Sequence, residues 1–424
     1  VATTPATNPI TSPNLALASG PTTAGVTSAG TEVAILGAGV IGMSCAWRLS
    51  LRGLSVTVVD PTPTAGASWA AAGMLAPVTE ASYGETALLQ IGLASAAKWP
   101  SYAAELADAA GRDPGLRQTD TLVVAHDSGD KAELDRFAAY AHSLGLSVQG
   151  LTSRECRQLE PMLAPDIRGG LLAPDQSVHN RDLLAALTAA CERAGVQFVR
   201  QSGAIRVRDE RCVGVDLTDG TTITADSTVL AAGAWSALIA GLPSEVVPPI
   251  RPVRGVILRL GTPPDYQRLG GVLSRTLRGT VSGAHVYLVP RADGEIVVGA
   301  TSDEVGYDDR VTAGGVWELL RDARLLLPVT SELTFTEAWS GLRPVTPDNA
   351  PLVGASGLPG LILATGHGRN GVLLSPITAE AITALIADEI VQPELTTLSP
   401  QRFPHHEPVP RPARPDNMVA KSVS

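Results

Sequence analysis

The chain has 424 residues, 44% of them hydrophobic and 17% charged, and a formal net charge of −10 at pH 7. That length exceeds one typical domain, and the composition is that of a folded globular chain rather than a disordered one. The acidic balance and the lack of a Lys/Arg cluster argue against nucleic acid or an anionic membrane as partner, and no apolar run approaches the roughly 18 residues of a membrane span.

Residues 1–30 are uncharged and dense in Thr, Ala, Ser and Pro. They lack the basic start and apolar stretch of a secretory signal, so they are expected to form a disordered leader. Glu32 to Leu36 is a short apolar run ending in Gly37-Ala38-Gly39-Val40-Ile41-Gly42. Met43 to Arg52 then recurs at helical spacing through Cys45, Ala46 and Leu49 and stops at Gly53, and Ser55 to Val59 is a second strand ending on Asp60. Strand, tight turn, helix and strand make a βαβ unit.

Residues 99–170 read mainly as helices, among them Lys131–Leu144 and Ser153–Leu159 with Thr152 as N-cap. Asn180–Ala194 is an amphipathic helix with Asp182 in its first turn. Short strands at 197–207 and 212–217 meet an Asp219-Gly220 hairpin turn; 223–225 returns, and Ser227–Leu230 is a buried strand. From Val253 to Thr301 the alternation predicts an antiparallel sheet, including His285–Val289 and Glu295–Gly299. Leu361–Thr365 is another buried strand, followed by a Gly-rich loop and a helix for which Ser375-Pro376 supplies the start. The prolines after Ser399 predict an unstructured tail.

The expected class is therefore α/β. A Rossmann-type nucleotide domain is expected from residues 31–98, 172–247 and 338–392, with a discontinuous antiparallel-sheet substrate domain from 99–171 and 248–337. A Pro-rich tail, 393–424, follows.

The spacing of Gly37, Gly39 and Gly42 serves a tight turn, close approach of the backbone to a pyrophosphate, and close packing of helix on strand. The phosphates then rest on the N-terminus of the helix. Asp60, 18 residues after Gly42 at the end of the next strand, is placed for ribose hydroxyls. This spacing does not separate FAD from NAD. Cys45, Cys156, Cys191 and Cys212 contain no CxxC pair, so neither a disulfide framework nor a metal site is expected, and a reducing cytoplasm fits. His126, His142, His179, His405 and His406 sit in no ligand spacing and are read as surface residues.

Four blocks decide the cofactor: Val33–Gly42; Gly66–Pro77, reading GASWAAAGMLAP; Thr228–Ser236; and Ser340–Pro344 together with Gly366–Gly371. On these the chain resembles the D-amino-acid oxidase family, in its glycine oxidase branch, across nearly the whole body. The resemblance implies FAD, and with no cysteine after Cys212 the flavin is expected to be noncovalent. It also implies that Val40, Ile41, Asp60 and Pro61 contact the adenosine and phosphate half. Ala67, Ser68, Ala72, Gly73 and Met74 line the phosphates and flavin, with Met74 counted among the residues facing the reaction. Ile205 would touch adenine through its backbone, and Ala232 and Gly233 lie where a strand end nears the cofactor; strand core is the competing reading for both.

The loop His367, Gly368, Arg369, Asn370, Gly371, Val372 and Leu373 would wrap the flavin, with Arg369 touching substrate or its approach. The helix start at Ser375-Pro376 would point positive charge at the ring's pyrimidine end. Arg343 would clamp a substrate carboxylate in a bidentate pair, against the competing reading of a salt bridge. Tyr287 would assist it. His285 faces the same side of its strand, with structural and functional readings both open, and Ser302 is a further candidate for the pocket wall.

The implied reaction is hydride transfer from a small amine or amino acid to flavin, giving oxo acid, ammonia and, with oxygen, peroxide. For glycine the imine would feed thiazole formation in thiamine synthesis. Two alternatives stand: a dehydrogenase for D-amino acids or proline-like amines passing electrons to a quinone or carrier, and a flavin-binding protein without turnover. Homo-oligomerisation is left open.

Overall fold

The computed structural model of the protein describes residues 31–63, 65–390 and 393–403. Its first strand, Thr31–Leu36, is buried along nearly its whole length, a pattern a strand shows when both faces of its sheet are covered. Val56–Val59 and Gln197–Val199 extend the sheet in parallel on one side; Thr222–Leu230 and Leu361–Thr365 extend it on the other, with Leu352–Ala355 antiparallel at the edge. The chain thus reverses direction of growth between the first strand and Thr222–Leu230. At such a switch point the connections leave to opposite faces and a crevice opens beyond the strand ends. Leu36 pairs with Val59 on one flank and Leu230 on the other, so Gly37, Asp60 and Ala231 all emerge at that crevice.

Thr222–Leu230 was expected as two pieces and is one strand. Its first half pairs antiparallel with Arg211–Leu217, in the same meander as Gly203–Arg208, and its second half joins the parallel sheet. Helices Val40–Leu51, Thr86–Ala110, Asn180–Arg193 and Gly371–Ile386 contribute Met43, Trp99, Leu183 and Ile377 to one core. Trp47 and Trp99 each meet Tyr102 edge-on, with ring centroids 5.4 Å apart.

The second sheet has eight strands, in spatial order Thr334–Val345, Arg251–Gly261, Glu295–Gly299, Ala284–Pro290, Thr276–Val281, Thr121–Ala125, Gly170–Ala173 and Gln149–Leu151. Helix Ala313–Leu326 packs Leu319, Ala323 and Leu326 on it. The sheet is not purely antiparallel: Thr276–Val281 runs parallel to Thr121–Ala125. Nor are residues 99–170 mainly helical throughout, since Thr121–Ala125 and Gln149–Leu151 are strands. A five-residue apolar run has no period that separates strand from buried helix; pairing with a segment far along the chain decides it. The helix expected at Lys131 begins at Ser128, because Asp127 and Asp130 form a reciprocal capping box.

The expected domain cuts need three corrections. The 98/99 cut falls inside helix Thr86–Ala110, whose Trp99, Tyr102 and Leu106 pack in the core with the first sheet's helices. The 171/172 and 337/338 cuts fall inside strands Gly170–Ala173 and Thr334–Val345 of the second sheet. The described part of the tail is ordered by docking: Leu395 and Leu398 are buried in the same core, and Arg402 forks onto Asp348 at 2.7 and 3.0 Å. The leader 1–30 and residues 404–424, with His405 and His406, lie outside the described residues. His179 is not a free surface residue; its Nδ1 accepts from Asp182 N–H at 3.1 Å and caps Asn180–Arg193.

Candidate active site

A cavity of about 930 Å³ lies between the switch point of the first sheet and one face of the second, at the upper end of the range for ligand pockets, about 300–1,000 Å³. At one end is the glycine turn. Gly37 has φ +115°, in the region that favours glycine, and a Cβ there would collide with the Ala231 carbonyl oxygen. A Cβ on Gly42 would collide with the Gly37 carbonyl oxygen. Gly42 therefore lies under the turn and Gly39 faces the Ser68 hydroxyl, while Gly37, Val40 and Ile41 line the cavity. Asp60 ties the motif together: its carboxylate accepts the Ala38 N–H at 2.7 Å and the Thr62 N–H at 2.8 Å. Burial pushes its carboxyl up, against those two bonds, which hold it down.

Ala67, Ser68, Ala72 and Gly73 form a wall of small side chains, with Met74 beside them on the lining. Its backbone is held from behind. Ser68 Oγ accepts the Val40 N–H at 3.0 Å, and Asn180 Nδ2 donates to the Ser68 and Trp69 carbonyls at 3.0 and 2.7 Å. Arg291, 4% exposed, donates to the Ala72 carbonyl at 2.6 Å and the Val178 carbonyl at 2.9 Å. Neither Asn180 nor Arg291 was legible as a site residue, because each acts only through another residue's backbone.

The second sheet presents Arg278, His285 and Tyr287 to the cavity, with Arg278 directly opposite Tyr287 and Thr280 opposite His285. His285 is exposed, with Nδ1 3.4 Å from the Thr280 hydroxyl. Burial pushes the Tyr287 phenol up, against the pull of the Arg343 guanidinium beside it. Arg343 projects from Thr334–Val345 over Gly255, where a Cβ would stand 2.5 Å from its terminal nitrogens. Its Nη1 donates to the Thr301 carbonyl at 3.1 Å, and among the described residues no carboxylate pairs with it. Ser302 lies on the same wall.

The C-terminal loop supplies His367, Gly368, Arg369, Asn370, Gly371 and Val372. Arg369 is not free: it pairs with Glu80 at 3.2 Å and Glu85 at 2.8 Å, two residues the sequence reading passed over. The last helix begins at Gly371, not at Ser375-Pro376. Pro376 sits inside it, and the Val372 carbonyl that its missing N–H leaves free accepts the Ser375 hydroxyl at 2.9 Å. The positive helix end thus meets the cavity one turn earlier than expected.

Two expected contacts fall behind the wall. The N–H of Ile205 is spent on the Ala240 carbonyl at 2.8 Å and its side chain is core, so Ser202, Gly203 and Ala204 line the cavity there. Leu373 is buried, and its carbonyl accepts from Ser95 and Trp99 at 2.6 and 2.9 Å.

His367 is fully enclosed, with Nε2 3.0 Å from the Thr378 hydroxyl, and burial pushes its pKa down to about 3. The unfolded chain takes up this proton near the ordinary value of 6.5. Its neutral burial therefore costs nothing above that pH, and stability is lost as the pH falls from there toward about 3. Thermal melts of His367→Gln are expected to show a flatter fall in Tm between about pH 6.5 and pH 4.5 than the unsubstituted protein. An equal slope would contradict the assignment.

These features suit an elongated dinucleotide: a glycine cradle that any Cβ would fill, a carboxylate at the neighbouring strand end, a wall of Ala and Gly for a flat ring, and helix N-termini at Val40 and Gly371. The model of the family described as DAO, FAD dependent oxidoreductase, matches residues 32–385. The chain belongs to that family. It is 34% identical over 381 residues to the bifunctional protein ThiO/ThiG of Trichormus variabilis, an alignment covering 88% of this chain and 55% of that protein. It is also 34% identical over 360 residues to glycine oxidase of Geobacillus kaustophilus, covering 84% of this chain and 92% of that one. The crystal structure of glycine oxidase from Geobacillus kaustophilus matches with a TM-score of 0.78 at 33% identity, covering 88% of this chain and 98% of that chain. The chain spans about half the length of the ThiO/ThiG relatives. Among the described residues no helix is long and apolar enough to cross a membrane.

Proposed function

We propose that this family member oxidises glycine and other small amino acids or amines, giving the oxo acid, ammonia and hydrogen peroxide. The observation that carries the reading is Arg343, a guanidinium at the cavity wall without a carboxylate partner among the described residues, beside the hydroxyl of Tyr287. A planar fork of donors in a half-buried pocket suits a substrate carboxylate.

Gly37, Val40, Ile41, Asp60 and Pro61 would hold the adenosine and phosphate half of FAD, and Ala67, Ser68, Ala72, Gly73, Met74, Ala232, Gly233 and residues 367–372 the flavin half. FAD held there would supply the acceptor for a hydride from the substrate α-carbon and the route for its electrons to oxygen. Arg343 and Tyr287 fix the carboxylate, so the α-carbon is oriented by position rather than by an acid or base touching its hydrogen. The N-terminus of Gly371–Ile386 directs its dipole into the cavity and favours negative charge there. The amine enters uncharged, and the imine released is hydrolysed by water to oxo acid and ammonia. With glycine as substrate we assign the imine to thiazole formation for thiamine. The four cysteines are unpaired and buried, in accord with a cytoplasmic setting.

The test is glycine in air without added acceptor. Peroxide and glyoxylate are expected in equal amounts with matching oxygen uptake, and flavin absorbance should bleach when oxygen is withheld. Dye reduction without peroxide would mark a dehydrogenase instead, and no bleaching by glycine, sarcosine, D-alanine or D-proline would overturn the reading.

A further inference from the structure

Among the described residues four guanidinium groups reach the cavity wall. Arg251 is paired with Glu304 at 2.9 Å. Arg278 and Arg369 pair with Glu80, and Arg369 also with Glu85, while Arg343 has no carboxylate partner among the described residues. Glu80 is bidentate in function: Oε1 lies 3.0 Å from Arg278 Nη1 and Oε2 lies 3.2 Å from Arg369 Nε, while Glu85 holds Arg369 a second time at 2.8 Å. The Glu80 side chain is only 14% exposed, and its place is preset. The N–H groups of Val78 and Thr79, and the Thr79 hydroxyl, donate to the buried carboxylate of Asp175 at 3.0, 2.8 and 2.6 Å. Arg278 stands across the strand pair from Tyr287, so its head faces the same chamber as the Arg343 fork.

We propose that Glu80 sets the charge class of the substrate. It neutralises Arg278 and shares Arg369 with Glu85, leaving Arg343 as the single uncompensated cation of the inner wall among the described residues. The site then accepts amines bearing one carboxylate and rejects those with a second anionic group. A second carboxylate near Arg278 must either displace Glu80 from two partners or stand beside it as an unpaired like charge, and both are unfavourable in a partly desolvated pocket. This deepens the amine-oxidation reading and rests on it for the reacting group alone; the charge count concerns anion binding and is measurable without turnover.

The experiment titrates the FAD-loaded protein with acetate and with malonate, following the visible flavin spectrum. The unsubstituted protein is expected to bind acetate more tightly than malonate. In Glu80→Gln the malonate-to-acetate affinity ratio should rise at least about tenfold, because Arg278 is released, and adding Arg278→Gln should remove the gain. The ratio of kcat/KM for N-carboxymethylglycine over glycine should rise in parallel. Malonate binding at least as tight as acetate in the unsubstituted protein overturns the proposal, whether or not the variant folds. An unchanged ratio in Glu80→Gln, or a gain that survives loss of Arg278, overturns it too. If the acid titrations behave as expected while neither amine bleaches the flavin, the charge assignment stands and amine oxidation falls.

Discussion

Arg343→Ala is expected to raise the KM for glycine about 10- to 150-fold while FAD remains bound. The range converts the roughly 1.5–3 kcal/mol of a charge-assisted hydrogen-bonded pair at about 1.4 kcal/mol per decade. Two structural facts sharpen it. Arg343 meets its own protein through the Thr301 carbonyl and the Tyr287 hydroxyl and through no described carboxylate, so its removal strands no buried acid. It also lies in the second sheet, away from the glycine turn, so cofactor retention separates a binding defect from unfolding. Gly255→Ala should mimic the loss, because its Cβ would stand 2.5 Å from the Arg343 nitrogens and push the fork aside. Steady-state kinetics with flavin content on the same samples checks both. An unchanged KM in Arg343→Ala would remove the carboxylate clamp from the mechanism.

The second large effect is expected at the other end of the cavity. Gly42→Ala inserts a methyl group into the space of the Gly37 carbonyl oxygen, and Gly37 cannot yield because it is pressed against Ala231 at φ +115°. The helix Val40–Leu51 must withdraw from the turn. Overpacking of this kind costs about 1–3 kcal/mol, and the first-turn N–H groups are displaced from the place where a pyrophosphate would rest. FAD affinity should fall at least about tenfold, read as a lower flavin-to-protein absorbance ratio and a weaker fluorescence titration. Gly314→Ala is the control: a Cβ there meets nothing within 4 Å on helix Ala313–Leu326, so flavin content should be unchanged and stability up by as much as about 1 kcal/mol. Full FAD occupancy in Gly42→Ala would show that the turn does not cradle the cofactor.

Much of the lining of the candidate nucleotide site is local in sequence and was legible for that reason. Gly37 to Gly42, the strand ending on Asp60 and the small-residue block Ala67–Met74 are each contiguous stretches whose backbone needs show in residue type. The last helix was found but started one turn late. Ser375-Pro376 has the composition of a helix start, yet proline is tolerated at the sixth position because the Ser375 hydroxyl takes the Val372 carbonyl that proline leaves without a donor. Ile205 and Leu373 failed for a related reason: a strand or helix residue one position off the lining register turns its polar groups into the core.

What the sequence determined alone was the class of fold and the dinucleotide turn, because periodicity, glycine spacing and residue type act over a few neighbouring positions; Arg343 and Tyr287 were singled out by family resemblance, since residue type alone left a salt bridge open for the arginine. The tertiary structure alone decided which charges are spent and which are free. Arg278, Arg343 and Arg369 are the same residue type in sequence; Glu80 and Glu85, brought in from the stretch before helix Thr86–Ala110, pair two of them and leave the third. Electrostatic compensation depends on separation in space, and a linear chain carries no record of that until its distant segments pack.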